Sequence, residues 1–259
     1  MNCLDSDVIK QKLNCQCGKI SIFESIDSTN SWLLQNGDCG DVCLSEIQTA
    51  GRGRRGNQWV SPNANNIYFS LCYCFEEITE HWSLLGLLVG IAIAESLQEV
   101  GLQNHGVKWP NDIFCNEKKL GGILLESQDQ TGRVVIGVGL NVGMQDNGLE
   151  QAGISQPWTS LRSVLKDSIP SRNVIIATMM NHLQVRLESF SNLNLGHFLN
   201  EWQRWDILLG QRVIIRQNEK SISGKVTALD KHGRIGVLHQ NKDIKFYSSA
   251  DIKLIPEMN

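Results

Sequence analysis

Large apolar residues fall at positions 67, 69, 71, 73 and 75, a period of two that predicts a half-buried strand over Ile67–Phe75. From Ser83 to Val100 the apolar residues crowd together, with an unbroken run over Leu84–Ala94, and Gly101 ends the segment. That run is 11 residues, well short of the ~20 that cross a bilayer, so it reads as a core helix. Short apolar stretches at Ile20–Glu24, Asp41–Ile47, Gly106–Trp109, Ile113–Cys115, Leu120–Glu126 and Arg133–Val142 read as further strands. Turns are expected at Pro110-Asn111-Asp112, at Asn116-Glu117 and over Asp129–Gly132. Ser28-Thr29-Asn30 stands ahead of Trp32, Leu33 and Leu34 as a helix cap. Helical spacing returns over Asn173–Phe190 and Leu195–Trp205.

Beyond Asp206 the pattern changes. Arg212–Arg216, Ser221–Leu229, Arg234–His239 and Asp243–Tyr247 are short strands between polar turns, a small all-β unit. The expected fold is therefore α+β, a mixed sheet packed against helices, followed by a small β-barrel-like module. The expected division is 1–19 as an N-terminal extension, 20–205 as the main domain and 206–259 as the β module.

Composition is globular, 41% hydrophobic and 20% charged over 259 residues, with a net charge of −3. Against that acidic balance Gly51-Arg52-Gly53-Arg54-Arg55-Gly56 is an island of cations, where a nucleic-acid binder usually carries a broad basic surface. The eight cysteines lack common zinc-knuckle spacing, and no secretory leader is read at the N-terminus. They are expected to be structural thiols in a reducing cytosol, with Cys72 and Cys74 on one face of a strand.

Three segments carry candidate chemistry. Glycines in the arginine loop allow a backbone whose N–H groups form an anion-binding concavity, and the guanidinium forks would grip phosphate or carboxylate. A solvated basic turn is written with the same letters. Lys108-Trp109-Pro110-Asn111-Asp112 presents a carboxamide and a carboxylate from a turn fixed by proline. Those two groups could hold Mg²⁺, orient an amine or make an Asx turn. A hairpin from Ile113–Cys115 into Leu120–Glu126 would return Lys119 beside Asp112. The glycines of Gly137-Val138-Gly139-Leu140-Asn141 sit inside a strand, so a ligand or another backbone is expected against it; the dinucleotide-binding fingerprint fails for want of a third glycine.

Taken in order, Ser28-Thr29-Asn30, the Gln48–Gly56 segment, Lys108–Asp112, Lys119-Leu120-Gly121-Gly122-Ile123 and Gly137–Asn141 resemble the biotin protein ligases. The resemblance runs from Ile20 to about Ile255. Trp158-Thr159-Ser160-Leu161 is similar to the family's adenylate-binding loop, and the terminal module to its SH3-like domain. It implies a class II synthetase-like catalytic domain that makes biotinyl-5′-AMP from biotin and ATP, then biotinylates a lysine of a biotin carboxyl carrier domain. It implies Lys119, Asp112 and Arg54 as catalytic residues. Biotin would meet Ser28, Thr29, Asn30, Gln48, Arg52, Gly53, Arg54, Lys119 and Gly122. ATP and the adenylate would meet Arg52, Arg54, Arg55, Trp59, Asn111, Lys119, Asn141 and Trp158, with Mg²⁺ reaching Asp112 through the phosphates. About 20 residues precede the matching region, fewer than the ~50 of a small domain, so a short form without a DNA-binding domain is expected. The expected protein is cytoplasmic, a monomer or homodimer, and binds neither DNA nor membrane. Asn57 stands where some members carry another basic residue. A lipoate or octanoate ligase of the same fold is the alternative; a non-enzymatic RNA-binding module would explain the arginine loop alone.

Overall fold

The structure, a computed structural model, describes residues 3–63, 65–127, 132–144, 156–217, 220–240 and 242–255. Seven strands form the main sheet: β1 (Ile20–Ile26), β2 (Val42–Gln48), β3 (Ile67–Cys74), β4 (His105–Lys108), β5 (Asp112–Cys115), β6 (Lys118–Glu126) and β7 (Arg133–Leu140). Their order is β1-β2-β3-β7-β6-β5-β4. Strands β1 and β2 run parallel because helix α2 (Thr29–Asn36) crosses between them; the other neighbours are antiparallel. The β5–β6 hairpin closes through Asn116 and Glu117, both left-handed (φ 48° and 62°), the backbone a two-residue hairpin turn demands.

Helices α3 (Leu85–Glu99) and α5 (Arg172–Ser189) cover one face of the sheet and pack on each other. A 3₁₀ turn at Trp82–Leu84 leads into α3. The span Trp82–Glu99 is long and apolar enough to cross a membrane by composition, yet α3 lies in the core, with Leu88, Val89, Ile91, Ile93 and Leu97 at 1% exposure or less. Helix α6 (Leu195–Trp205) follows, with Trp202 buried and its Nε1 donating to Asp206.

The half-buried reading of β3 is corrected: Ile67 to Cys72 are all buried, so the strand is covered on both sides. The alternation itself is real. Large side chains face α3 and α5, while Ser70 and Cys72 lie under α2, where Leu33, Cys43, Cys72 and Val135 form a second small cluster. Two short helices went unread in the sequence. Helix α1 (Ser6–Lys10) is capped by Asp5 and buries Ile9 completely. Asn173 and Asn181 of α5 each hydrogen-bond the backbone of the first 14 residues, fixing that segment onto the helix. Helix α4 (Leu161–Leu165) is capped by Ser160. The expected turn over Asp129–Gly132 lies mostly outside the described residues.

The thiol expectation is corrected for one pair. Cys39 and Cys74 are disulfide-bonded, their Cα atoms 5.6 Å apart. Gly40 N–H donates to the Cys72 carbonyl, which draws the loop before β2 against the end of β3 and brings the two cysteines together. The other six cysteines are free, and burial pushes Cys43 up to about 12.

The C-terminal strands β8 (Arg212–Gln217), β9 (Lys220–Leu229), β10 (Ile235–Leu238), β11 (Ile244–Tyr247) and β12 (Asp251–Leu254) form an antiparallel sheet in the order β11-β10-β9-β8-β12. Strand β12 was not read in the sequence. Contacts between this unit and the first sheet include Trp109 Nε1 donating to the Gly233 carbonyl, and the segment before β8 is tied to β4 by Ile207 N–H donating to Val107.

Candidate active site

The sheet face away from α3 is where the candidate residues gather. Ser28 caps α2, accepting from Ser31 N–H, so Thr29 and Asn30 start the helix directly over the strands. Thr29 N–H and Oγ1 both donate to Gln48 Oε1, at 2.9 and 3.2 Å. Ser70 Oγ lies 2.7 Å from Thr29 Oγ1 and 2.6 Å from Asn30 Oδ1. Asn30 Nδ2 donates to Glu126 Oε2 at 3.0 Å. Gln48 Nε2 reaches Ser61 Oγ at 2.9 Å. These buried polar groups are thereby oriented by one another, as burial requires.

The glycines of β7 are explained by what approaches them. A Cβ at Gly137 would sit 2.2 Å from Asn30 Oδ1, and one at Gly139 2.5 Å from the Trp59 ring. The strand lacks side chains there because α2 and the arginine loop need the room; side chains, not another backbone, press against it. The Trp59 ring also lies over Gly122, and Lys119 Nζ sits 5.3 Å from its centroid. Trp59 Nε1 is buried without a hydrogen-bond partner among the described residues.

Lys119 and Asp112 meet as the hairpin reading anticipates, with Nζ 2.9 Å from Oδ1 and both side chains largely buried. Asp112 pairs with Gly122 across β5 and β6. Asn111 is held from two sides: its Nδ2 donates to the Ile123 carbonyl at 2.8 Å, and its backbone carbonyl accepts from Ile123 N–H. The Trp158 segment runs parallel beside Lys119, with Lys119 N–H donating to Pro157 and Thr159 N–H donating to Lys119. Asn141 is buried and donates Nδ2 to the Thr159 carbonyl, so it stitches this segment to β7. Lys108, in register with Asp112, has its ammonium pushed down by burial, against the pull of Asp112 and Asp251.

The arginine loop departs from expectation in two respects. Its backbone folds on itself: Gly53 N–H donates to the Asn57 carbonyl and Trp59 N–H to Gly51, so Gly53 is not an open anion donor. Its guanidiniums diverge. Arg52 pairs with Glu126 at 2.6 Å and donates to Ser31 Oγ. Arg55, left-handed at φ 56°, turns away to Ser249 beyond β11. Arg54 alone points inward, donating to Asn111 Oδ1 at 3.2 Å. Burial lowers the Arg54 pKa below the ordinary arginine value, Arg55 adds to the effect and Asp112 opposes it. Among the described residues Arg54 forms no salt bridge. A half-buried cation without a carboxylate partner is a place for an anionic ligand. Beside it opens a cavity of about 390 Å³, lined by Arg54, Asn111, Ile123, Trp82, His232 and Ser248 among others. Glu126 and Ser70, both central to the network, had escaped the sequence reading as site residues, because neither belongs to one of the motifs that singled out the others.

Residues 22–141 match the Biotin/lipoate A/B protein ligase family. The bifunctional ligase/repressor BirA of Escherichia coli is 35% identical over 243 residues, covering 92% of this chain and 74% of that protein. The biotin–[acetyl-CoA-carboxylase] ligase of Mycobacterium tuberculosis is 29% identical over 84% of this chain and 82% of its own. The biotin protein ligase of Aquifex aeolicus, solved with biotin and ATP, superposes with a TM-score of 0.78 at 26% identity, covering 92% of this chain and 98% of that one. With the ordered motifs, the shared sheet and this degree of identity in agreement, the chain belongs to the biotin protein ligases.

Proposed function

We propose that the cleft between α2, the arginine loop and strands β5–β7 catalyses ATP-dependent biotinylation of a carrier-protein lysine. Biotin's carboxylate attacks the α-phosphorus of ATP, forming the carboxyl–phosphate bond of biotinyl-5′-AMP and releasing pyrophosphate. The uncharged lysine amine then attacks the carboxyl carbon, forming the amide and releasing AMP and a proton. The carrier is the biotin carboxyl carrier domain of a carboxylase, a partner class consistent with the name of the M. tuberculosis relative.

The observation that carries this reading is Arg54, an inward, half-buried guanidinium without a salt-bridge partner among the described residues, next to Lys119 and Asp112. Both half-reactions move negative charge on or off phosphate oxygens, and preorganised cations stabilise that charge most where water is excluded. Lys119 is assigned to the reacting carboxyl and phosphoryl oxygens, and Arg54 to the α-phosphate. Asp112 keeps Lys119 in position and receives the incoming lysine. Thr29, Asn30, Gln48 and Arg52 are assigned to biotin, with Ser28 holding the helix start and Gly122 leaving room. Trp59 and Trp158 flank the nucleotide, while Asn141 positions the Trp158 segment. Arg55, turned to Ser249, reaches phosphate only by swinging back.

Mg²⁺ fits here only as an ion carried on the phosphates of ATP. Asp112 is already paired with Lys119, Asn111 Oδ1 accepts from Arg54, and no cluster of three His, Cys, Asp or Glu among the described residues could hold a metal. Magnesium does bind through one or two carboxylates plus substrate phosphates. When bound it would neutralise charge on the leaving pyrophosphate. A soluble, cytoplasmic enzyme that leaves nucleic acid alone is the cellular reading consistent with a net charge of −3. The deciding experiment is ATP–pyrophosphate exchange with biotin, lipoate or octanoate as the acid. Biotin alone should support exchange; lipoate or octanoate in its place would assign the site to the sister activity.

A further inference from the structure

Glu126 closes strand β6 where α2 and the arginine loop come together. Its Oε2 accepts from Asn30 Nδ2 at 3.0 Å and its Oε1 pairs with Arg52 at 2.6 Å. Its side chain is 18% exposed, against 48% for Arg52. Asn30 is also fixed from behind, its Oδ1 accepting from Ser70 Oγ, so the donor to Glu126 is set by the amide's orientation. Arg52 spends one further hydrogen bond on Ser31 Oγ of α2. A guanidinium has five N–H donors, so the remaining ones stay available while Glu126 holds the group. Without Glu126, an exposed arginine on a glycine-rich loop would keep only a neutral hydroxyl contact.

We infer that Glu126 is a positioning residue for biotin: one carboxylate orients Asn30 and Arg52 together, closing the loop over the ring of polar groups at the start of α2. This rests on the assignment of Asn30 and Arg52 to biotin. Glu126 has no part in the chemistry at Lys119, so its removal weakens biotin capture and leaves ATP use and turnover nearly unchanged.

The test is calorimetric biotin binding with steady-state kinetics on Glu126→Ala, Glu126→Gln, Asn30→Ala, Arg52→Ala and the Glu126→Ala/Arg52→Ala pair. Glu126→Ala should raise the Kd for biotin about tenfold, the scale of one charge-assisted hydrogen bond. Its KM for ATP and its kcat at saturating biotin should stay within about threefold of wild type. Glu126→Gln keeps one accepting oxygen but turns an NH₂ toward the second donor and loses the charge, so its loss should approach that of Glu126→Ala. The double variant should fall well short of the product of its singles, because Glu126 acts through Arg52. A Kd unchanged in Glu126→Ala, or fully multiplicative losses, overturns the inference. If the alanine variant fails to fold, the same cycle with Glu126→Gln decides: its loss should shrink in the Arg52→Ala background to the share carried through Asn30, and an undiminished loss overturns the inference. If Asn30→Ala and Arg52→Ala leave biotin binding intact, the site assignment itself is what fails. If those two lose binding while Glu126→Ala does not, the assignment stands and the role of Glu126 falls.

Discussion

The two faces of strands β6 and β7 are built from alternate residues of the same chain segments, and they could hardly differ more. Toward α3 and α5 point Ile123, Ile136, Val138 and Leu140, each at 2% exposure or less. Toward α2 and the arginine loop the same strands offer Gly122, Gly137 and Gly139, with Glu126 at the end. The first face binds by apolar area and tolerates small repacking. The second supplies little area of its own. It is a flat floor on which polar side chains from elsewhere are set at hydrogen-bond distance, so its cost of error is geometric. Stability should therefore reside mostly on one face and activity on the other.

The largest break in that comparison is expected from Lys119→Ala. It should slow biotin-dependent pyrophosphate exchange by about 10²–10³-fold, the scale for removing one preorganised charge donor. Exchange within threefold of wild type would reduce Lys119 to a partner for Asp112. Next comes Gly137→Ala, a single methyl group placed against Asn30. Displacing that amide by the better part of an ångström should cost about 10²-fold in biotin use. Circular dichroism should show the fold retained, and a variant with normal kinetics would mean that Asn30 is not held where biotin needs it.

Arg54→Ala should have a smaller effect, raising the KM for ATP about tenfold, the weight of one charge-assisted contact. More biotinyl-AMP should escape to solvent, read as free adenylate by chromatography. If escape and KM are both normal, the Arg54 guanidinium serves something other than the nucleotide. The mildest change belongs to the core face. Ile136→Val should cost about 0.5–1.5 kcal/mol in denaturant unfolding and leave exchange within twofold. A large activity loss from this buried methyl would dissolve the division between faces.

Much of this could be read along the chain. The β5–β6 hairpin with Lys119 beside Asp112, the cap at Ser28 and helix α6 depend on residues close in sequence, where pattern and turn chemistry act directly. Strands β8 to β11 were legible for the same reason. Helices α1 and α4 escaped because each has only five residues and a cap, too few for a period to show. Strand β3 was misjudged because serine and cysteine on its second face look solvent-facing until α2 is laid over them.

By itself the sequence determined the alternation of the strands, the glycines that clear the floor of the cleft, and the order of motifs that marks a biotin protein ligase. These are local, or sums of local choices. Tertiary structure alone decided which way each arginine of the loop points. Arg52 goes to Glu126 from β6, Arg54 to Asn111 from the β4–β5 turn, and Arg55 to Ser249 after β11. It also decided that Cys39 meets Cys74 and that Asn30 rests on Gly137. A side chain's propensity fixes its own backbone, but the partner that satisfies its charge is chosen by whichever distant strand the sheet order brings alongside.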